Sequence, residues 1–209
     1  MGSKIDIILK VLRQLYPTRK TSLMWKNPWQ LLIATILSAQ TSDQQVNKVL
    51  PTLFKNWPTP KSLKEADPKE VERVIKKIGL FKSKTKYIIK TAQIIHDEFN
   101  GKVPSNMKDL LKLYGVSRKT ANIVLSLGFG INEGIAVDTH VKRISNRLGL
   151  TQHKDPKKIE KDLMKLFPKD SWGEINLLFV QFGREICKAK NPKCSVCPLK
   201  NICIETRKN

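Results

Sequence analysis

No cysteine precedes Cys187 in this chain of 209 residues. A disulfide framework spread through the fold is therefore excluded, and whatever the thiols do is confined to the C-terminal end. Acidic residues are also scarce, with 18 Asp and Glu against 39 Lys and Arg, a formal charge of +21. Folding requires no such imbalance and solubility requires far less. The excess implies a polyanionic partner, nucleic acid first, with a merely solvated basic surface as the plain alternative. Long apolar runs are missing as well. The longest, "LLIA" from Leu31 and "LLFV" from Leu177, are core-sized, whereas a bilayer span needs roughly 18–20 residues. The N-terminal "MGSKIDIILKVLRQLYP" alternates charged and apolar residues and lacks the uninterrupted centre of a signal peptide. These absences predict a soluble, intracellular protein, not secreted and with no membrane partner, which in a prokaryote would be cytoplasmic and nucleoid-associated.

Strand-like alternation, internal repeats and low-complexity segments are absent too, and helical spacing dominates instead. Ile5, Ile8, Leu9, Leu12 and Leu15 form one stripe that ends before Pro17. Asp67-Pro68 opens a segment with Val71, Val74, Ile75 and Ile78 on one face, and Gly79 is placed to close it. Ile88, Ile89, Ala92, Ile95 and Phe99 form the next face, ended by Asn100 and Gly101. Asp155-Pro156 repeats the start signal before Ile159, Leu163 and Leu166. The fold class is all-α, in one large domain or two small ones.

One segment breaks its own pattern. "LLKLYGVSRKTANIVLSLGFG", Leu110 to Gly130, runs into Gly115 and restarts at Ser117. Ser105 can cap a helix that buries Leu110, Leu111 and Tyr114; Gly115 then permits a sharp reversal, and Ser117 caps a helix with Ala121, Val124 and Leu125 inward. A helix N-terminus presents unpaired N–H groups and partial positive charge, so the hairpin can cradle a phosphate. Arg118 and Lys119 occupy that first turn, where the helix dipole disfavours cations. A partly desolvated Lys119 there becomes a neutral amine nucleophile near pH 7. A lysine that only binds phosphate explains the placement equally well, and both readings stay open.

Asp138, in "GIAVDTHVKRISNRLGL", precedes a helical face of Val141, Ile144 and Leu148 and is a good N-cap on that ground alone. Cys187, Cys194, Cys197 and Cys203 are separated by six, two and five residues. Such clustering suits four thiolates on one metal centre, and spacing leaves zinc and an iron–sulfur cluster both open.

"LYGVSRKTA" resembles the helix-hairpin-helix of the endonuclease III family of DNA glycosylases, with Tyr114 in place of a proline and Ser117 in place of the second glycine. "VDTH" is similar to a family signature, and the cysteine spacing after "FGREIC" resembles the family's 4Fe-4S loop, with Phe182 where a histidine is common. The resemblance runs over nearly the whole chain. It implies a two-domain fold, with a six-helix barrel over residues 22–132 holding the hairpin at about 107–127, and a 4Fe-4S cluster domain from 1–21 plus 133–209. A catalytic cleft between the two is implied. It further implies Lys119 and Asp138 as catalytic residues and the four cysteines as cluster ligands. DNA contacts are implied at Gly115, Val116 and Ser117 in the hairpin, and at Lys190 and Lys193 in the cysteine loop. Gln40, Ile78 and Leu80 are implied to fill or wedge the space left by an extruded nucleotide.

The activity expected from the resemblance is a bifunctional DNA glycosylase and abasic-site lyase, acting as a monomer on oxidised or damaged pyrimidines in duplex DNA through a lysine Schiff base. An adenine-mismatch enzyme is disfavoured by Lys119 and by how soon the chain ends after Cys203. Two alternatives remain: a uracil or thymine-mismatch glycosylase of the same superfamily, and a non-catalytic, metal-stapled DNA-binding protein.

Overall fold

The computed structural model describes residues 3–18 and 21–205; residues 1–2, 19–20 and 206–209, at the limits of the expected cluster domain, lie outside the described residues. Among the described residues every regular element is helical. The chain divides into two compact units, Thr21–Ile131 and Met1–Lys20 with Asn132–Asn209. The first unit contains α2 (Pro28–Leu37), α3 (Asp43–Asn56), α4 (Pro60–Lys64), α5 (Pro68–Ile75), α6 (Phe81–Glu98), α7 (Met107–Leu110) and α8 (Arg118–Ile123). The second contains α1 (Lys4–Leu15), α9 (Thr139–Arg147), α10 (Pro156–Leu166) and α11 (Trp172–Glu185). No helix among the described residues is long and apolar enough to cross a membrane.

In the Thr21–Ile131 unit, α2 is the centre. Its "PWQLLIATIL" is apolar on every side, and Trp29 and every residue from Leu31 to Leu37 are buried. A helix of that kind has to be surrounded; α3, α6 and α8 pack on it. Each fully buried leucine or isoleucine contributes about 2 kcal/mol. The caps are local and follow the sequence. Asp67 accepts the Lys69 N–H at 2.9 Å to start α5, and Asn100 and Gly101 both turn left-handed after α6. On α6 itself Ile88, Ala92 and Ile95 are buried, while Ile89 and Phe99 only pack against the core's edge.

Two details of this unit depart from expectation. Gly79 does not make the left-handed turn after α5; Leu80 does, with φ 60°. Around the hairpin, α7 is a single turn capped by Asn106 and not by Ser105, its side chain accepting the Asp109 N–H at 2.9 Å. The residues turned inward there are Leu110 and Leu113, whereas Leu111 and Tyr114 are each 43% exposed. With only one helical turn, the chain leaves the helix before a 3.6-residue stripe can carry Leu111 and Tyr114 to the core. After α8 the chain widens into a π-helical turn over Val124–Gly128.

The second unit has its own core, built from Ile8 and Leu12 of α1, Val141 and Ile144 of α9, Ile159 and Leu163 of α10, and Leu178, Phe179 and Phe182 of α11. Leu15 and Leu166, expected on apolar faces, are 44% and 43% exposed. Each is the last residue of its helix, and the aromatic residue that follows, Tyr16 or Phe167, folds in as the buried C-cap.

Candidate functional site

The hairpin is built from backbone permission and one cap. Gly115 has φ 73°, and a Cβ there would lie 3.1 Å from Ile36 Cγ2 and from Tyr87 Cδ2. Both the conformation and the close approach require glycine. Ser117 stands extended, and its Oγ accepts the Thr120 N–H at 3.3 Å, so α8 starts at Arg118 as the sequence predicts. Ala121, Val124 and Leu125 are fully buried behind it. Tyr114 is braced from α6: Thr91 Oγ1 donates to its carbonyl at 2.9 Å, and the Lys90 ammonium sits 4.7 Å from its ring centroid. A tyrosine is thus accommodated where the family pattern has proline.

Lys119 is exposed in the first turn of α8. Of the hairpin residues expected to meet DNA, Gly115 and Ser117 are exposed, while Val116 is 9% exposed and its N–H donates to Leu113 O at 3.3 Å. Val116 therefore shapes the turn from inside.

Asp138 is a half-buried N-cap. Its Oδ1 accepts the Val141 N–H at 2.8 Å, which orients the carboxylate and leaves Oδ2 outside the cap.

Gln40 and Leu80 are both exposed and both left-handed, with φ 53° and 60°. Their turns adjoin, because a Cβ at Gly79 would lie 3.7 Å from Gln40 O. Ile78, placed with them from the sequence, is only 2% exposed. It belongs to the core, since its position continues the inward face of α5, and Leu80 carries the exposed apolar side chain.

All four cysteines are free thiols and line one cavity, together with Arg147 and Phe182. Burial pushes the Cys197 thiol up, and the other three cysteines add to the shift. The loop is clamped by two arginines on one face of α9 that the sequence reading passed over. Arg143 donates to Cys187 O at 2.9 and 3.1 Å and to Gly183 O at 3.2 Å. Arg147 donates to Lys188 O at 2.7 Å and to Ala189 O at 3.2 Å, and its Nη1 lies 3.5 Å from Cys187 Sγ. Their i, i+4 spacing in "VKRISNR" was the available signal. Lys190 and Lys193 are exposed on the clamped loop. Among the described residues no three His, Cys, Asp or Glu side chains close on a single ion, yet four soft donors around one cavity fit the larger iron–sulfur group.

Comparison with known proteins agrees with this geometry. Residues 33–169 match the HhH-GPD superfamily of base excision DNA repair proteins, and residues 187–203 match the iron–sulfur binding domain of endonuclease III. The chain is 48% identical to endonuclease III of Synechocystis sp. over 94% of its own length and 90% of the relative's, and 40% identical to that of Bacillus subtilis over 98% and 94%. Among solved structures, a trapped endonuclease III–DNA covalent intermediate superposes with a TM-score of 0.92 at 42% identity, covering 100% of this chain and 99% of that one. A thermostable thymine-DNA glycosylase shares the fold, with a TM-score of 0.88 at 24% identity over 99% and 98% of the two chains. The cofactor is therefore a 4Fe-4S cluster, and the matched segment spans all four cysteines. On this evidence the chain belongs to the endonuclease III family of base-excision DNA glycosylases and abasic-site lyases within the HhH-GPD superfamily.

Proposed function

We propose that this chain removes oxidised or ring-damaged pyrimidines from duplex DNA and then cuts the strand, with Lys119 as nucleophile and Asp138 as the assisting carboxylate. The observation that carries the reading is the placement of Lys119, an exposed amine in the first turn of a helix that begins at the hairpin. A relative 42% identical to this chain has been trapped as a covalent intermediate with DNA. The Lys119 amine attacks C1′ of the damaged nucleotide and the glycosidic bond breaks, the base leaving with the bonding pair and taking up a proton. Asp138 stabilises the positive charge that builds on the sugar. Loss of a proton from the amine leaves an aminal at C1′; the C1′–O4′ bond then breaks, O4′ taking up a proton, and the opened sugar is held as a protonated Schiff base, which acidifies C2′–H; removal of that proton expels the 3′ phosphate by β-elimination.

Gln40 occupies the space of the extruded nucleotide, and Leu80 separates its neighbours. Gly115 and Ser117 face the DNA backbone from the hairpin. The cluster would be held by Cys187, Cys194, Cys197 and Cys203 as a structural staple. Fixed in that way, the loop presents Lys190 and Lys193 to phosphates. The protein acts as a monomer on nucleoid DNA in the cytoplasm.

Borohydride trapping tests the chemistry on duplexes carrying thymine glycol or an abasic site, comparing wild type with Lys119→Gln. A covalent adduct is expected with wild type alone, while Lys119→Gln still binds the duplex. Intact binding without an adduct in either protein would overturn the nucleophile and leave a glycosylase that uses water, or a DNA-binding protein.

A further inference from the structure

Lys84 takes no part in that chemistry, yet among the described residues it is the one lysine that is buried, at 3% exposure. It sits in the first turn of α6, and its Nζ donates to Leu37 O and to Thr41 Oγ1, each at 2.8 Å. Leu37 is the last residue of α2. The carbonyl ends of that helix carry partial negative charge, so an ammonium is matched to its acceptor. Desolvation pushes the Lys84 pKa down to about 8, and near neutral pH the group remains largely charged. Burying such a charge is costly, and an apolar side chain of similar volume is often the more stable solution. Stability alone gives no reason for a lysine here.

What Lys84 connects supplies a reason. Thr41 directly follows Gln40, and the adjoining turn carries Leu80, which is 58% exposed. A Cβ at Gly79 would lie 3.6 Å from Thr41 Oγ1, the same oxygen that Lys84 holds. Gln40 and Leu80 both keep left-handed backbones without being glycine. Such conformations persist where the surroundings over-determine them. The Lys84 ammonium is the group that ties the end of α2, the Gln40 turn and the start of α6 to one point.

We infer that Lys84 is a positioning residue for lesion recognition: it pins Thr41 to the end of α2 and so holds Gln40 beside Leu80, ready for the space an extruded nucleotide leaves. The inference rests on the reading of Gln40 and Leu80 as the gap-filling pair.

The test uses a duplex with a tetrahydrofuran abasic-site analogue opposite 2-aminopurine, against the same duplex undamaged. Lys84→Met removes the ammonium and keeps the stem; Thr41→Val removes the acceptor on the loop and leaves the bond to Leu37. Gln40→Ala and Leu80→Ala serve as references. Both references and Lys84→Met are expected to lower the preference for the abasic-analogue duplex about tenfold, and Thr41→Val about threefold, with affinity for undamaged DNA within about twofold of wild type. The 2-aminopurine fluorescence change on binding should shrink in the same order, a readout that a general loss of stability does not move. Should the references lose the preference while Lys84→Met and Thr41→Val keep it, the positioning role is overturned and the gap-filling reading stands. Full preference in all four variants overturns both. If Lys84→Met does not fold, Thr41→Val decides by the same criteria.

Discussion

Two turns in the Thr21–Ile131 unit launch helices by opposite means. At the hairpin, each residue suits its conformation: glycine where φ is 73°, serine as N-cap, and an exposed lysine in the first turn. At the start of α6, the left-handed position holds Leu80, the helix has no side-chain cap, and the first-turn lysine is buried. Glycine makes the first turn locally consistent. The second turn is locally inconsistent and is held by contacts made elsewhere, through Lys84 and the adjoining Gln40 turn. On the proposed function the difference has a reason: a phosphate cradle needs only backbone, whereas a wedge needs a side chain where glycine would be more comfortable.

Gly115→Ala attacks the consistent turn and has the largest expected effect. The new methyl would force a strained φ and press on Ile36 and Tyr87 at 3.1 Å. A loss of about 2–3 kcal/mol is expected in chemical denaturation, with weaker binding to any duplex. An unchanged midpoint would mean that the hairpin does not depend on its glycine. Leu80→Gly acts in the opposite direction on the other turn. It relieves the left-handed leucine and should stabilise the protein by about 0.5–1 kcal/mol while reducing discrimination between damaged and undamaged DNA. Destabilisation would show that Leu80 packs more than it strains.

A third prediction concerns pH. The pKa of Lys84 is lowered from 10.5 to about 8 in the folded protein, so the unfolded chain binds more protons between those values. The cost of burying the charge is full below about pH 8 and fades as pH rises toward 10.5. Wild type should therefore gain several °C in Tm relative to Lys84→Met as pH rises through that window. A constant difference in Tm would mean that the ammonium is solvated in the folded state.

The comparison also marks how far the sequence could be read. Caps and breaks that depend on one or two residues were legible: Asp67, Ser117, Asp138 and Asp155 cap the helices expected of them, and Gly115 turns left-handed. The four cysteines were legible as one metal centre, although spacing did not separate zinc from a cluster. What escaped depended on distant partners. Periodicity put Ile78 on the inward face, where it lies; the family resemblance paired it with Leu80, but one is in the core and the other outside, because the left-handed turn falls on Leu80 and not on Gly79. Tyr114 was placed inward, yet the one-turn α7 leaves it under the Lys90 ammonium. Arg143 and Arg147 read as ordinary surface cations until the carbonyls they hold are seen. Lys84 was lost among the other lysines because nothing in its own segment announces acceptors 43 and 47 residues away.

Burial gives Lys84 one more property, a kinetic one. Reagents that acylate amines reach the exposed lysines directly, but they reach this Nζ only when the joint between α2 and α6 opens. The yield of modification at this one position, counted against the surface lysines in the same sample, is thus an internal clock for how often the Gln40 and Leu80 turns come apart.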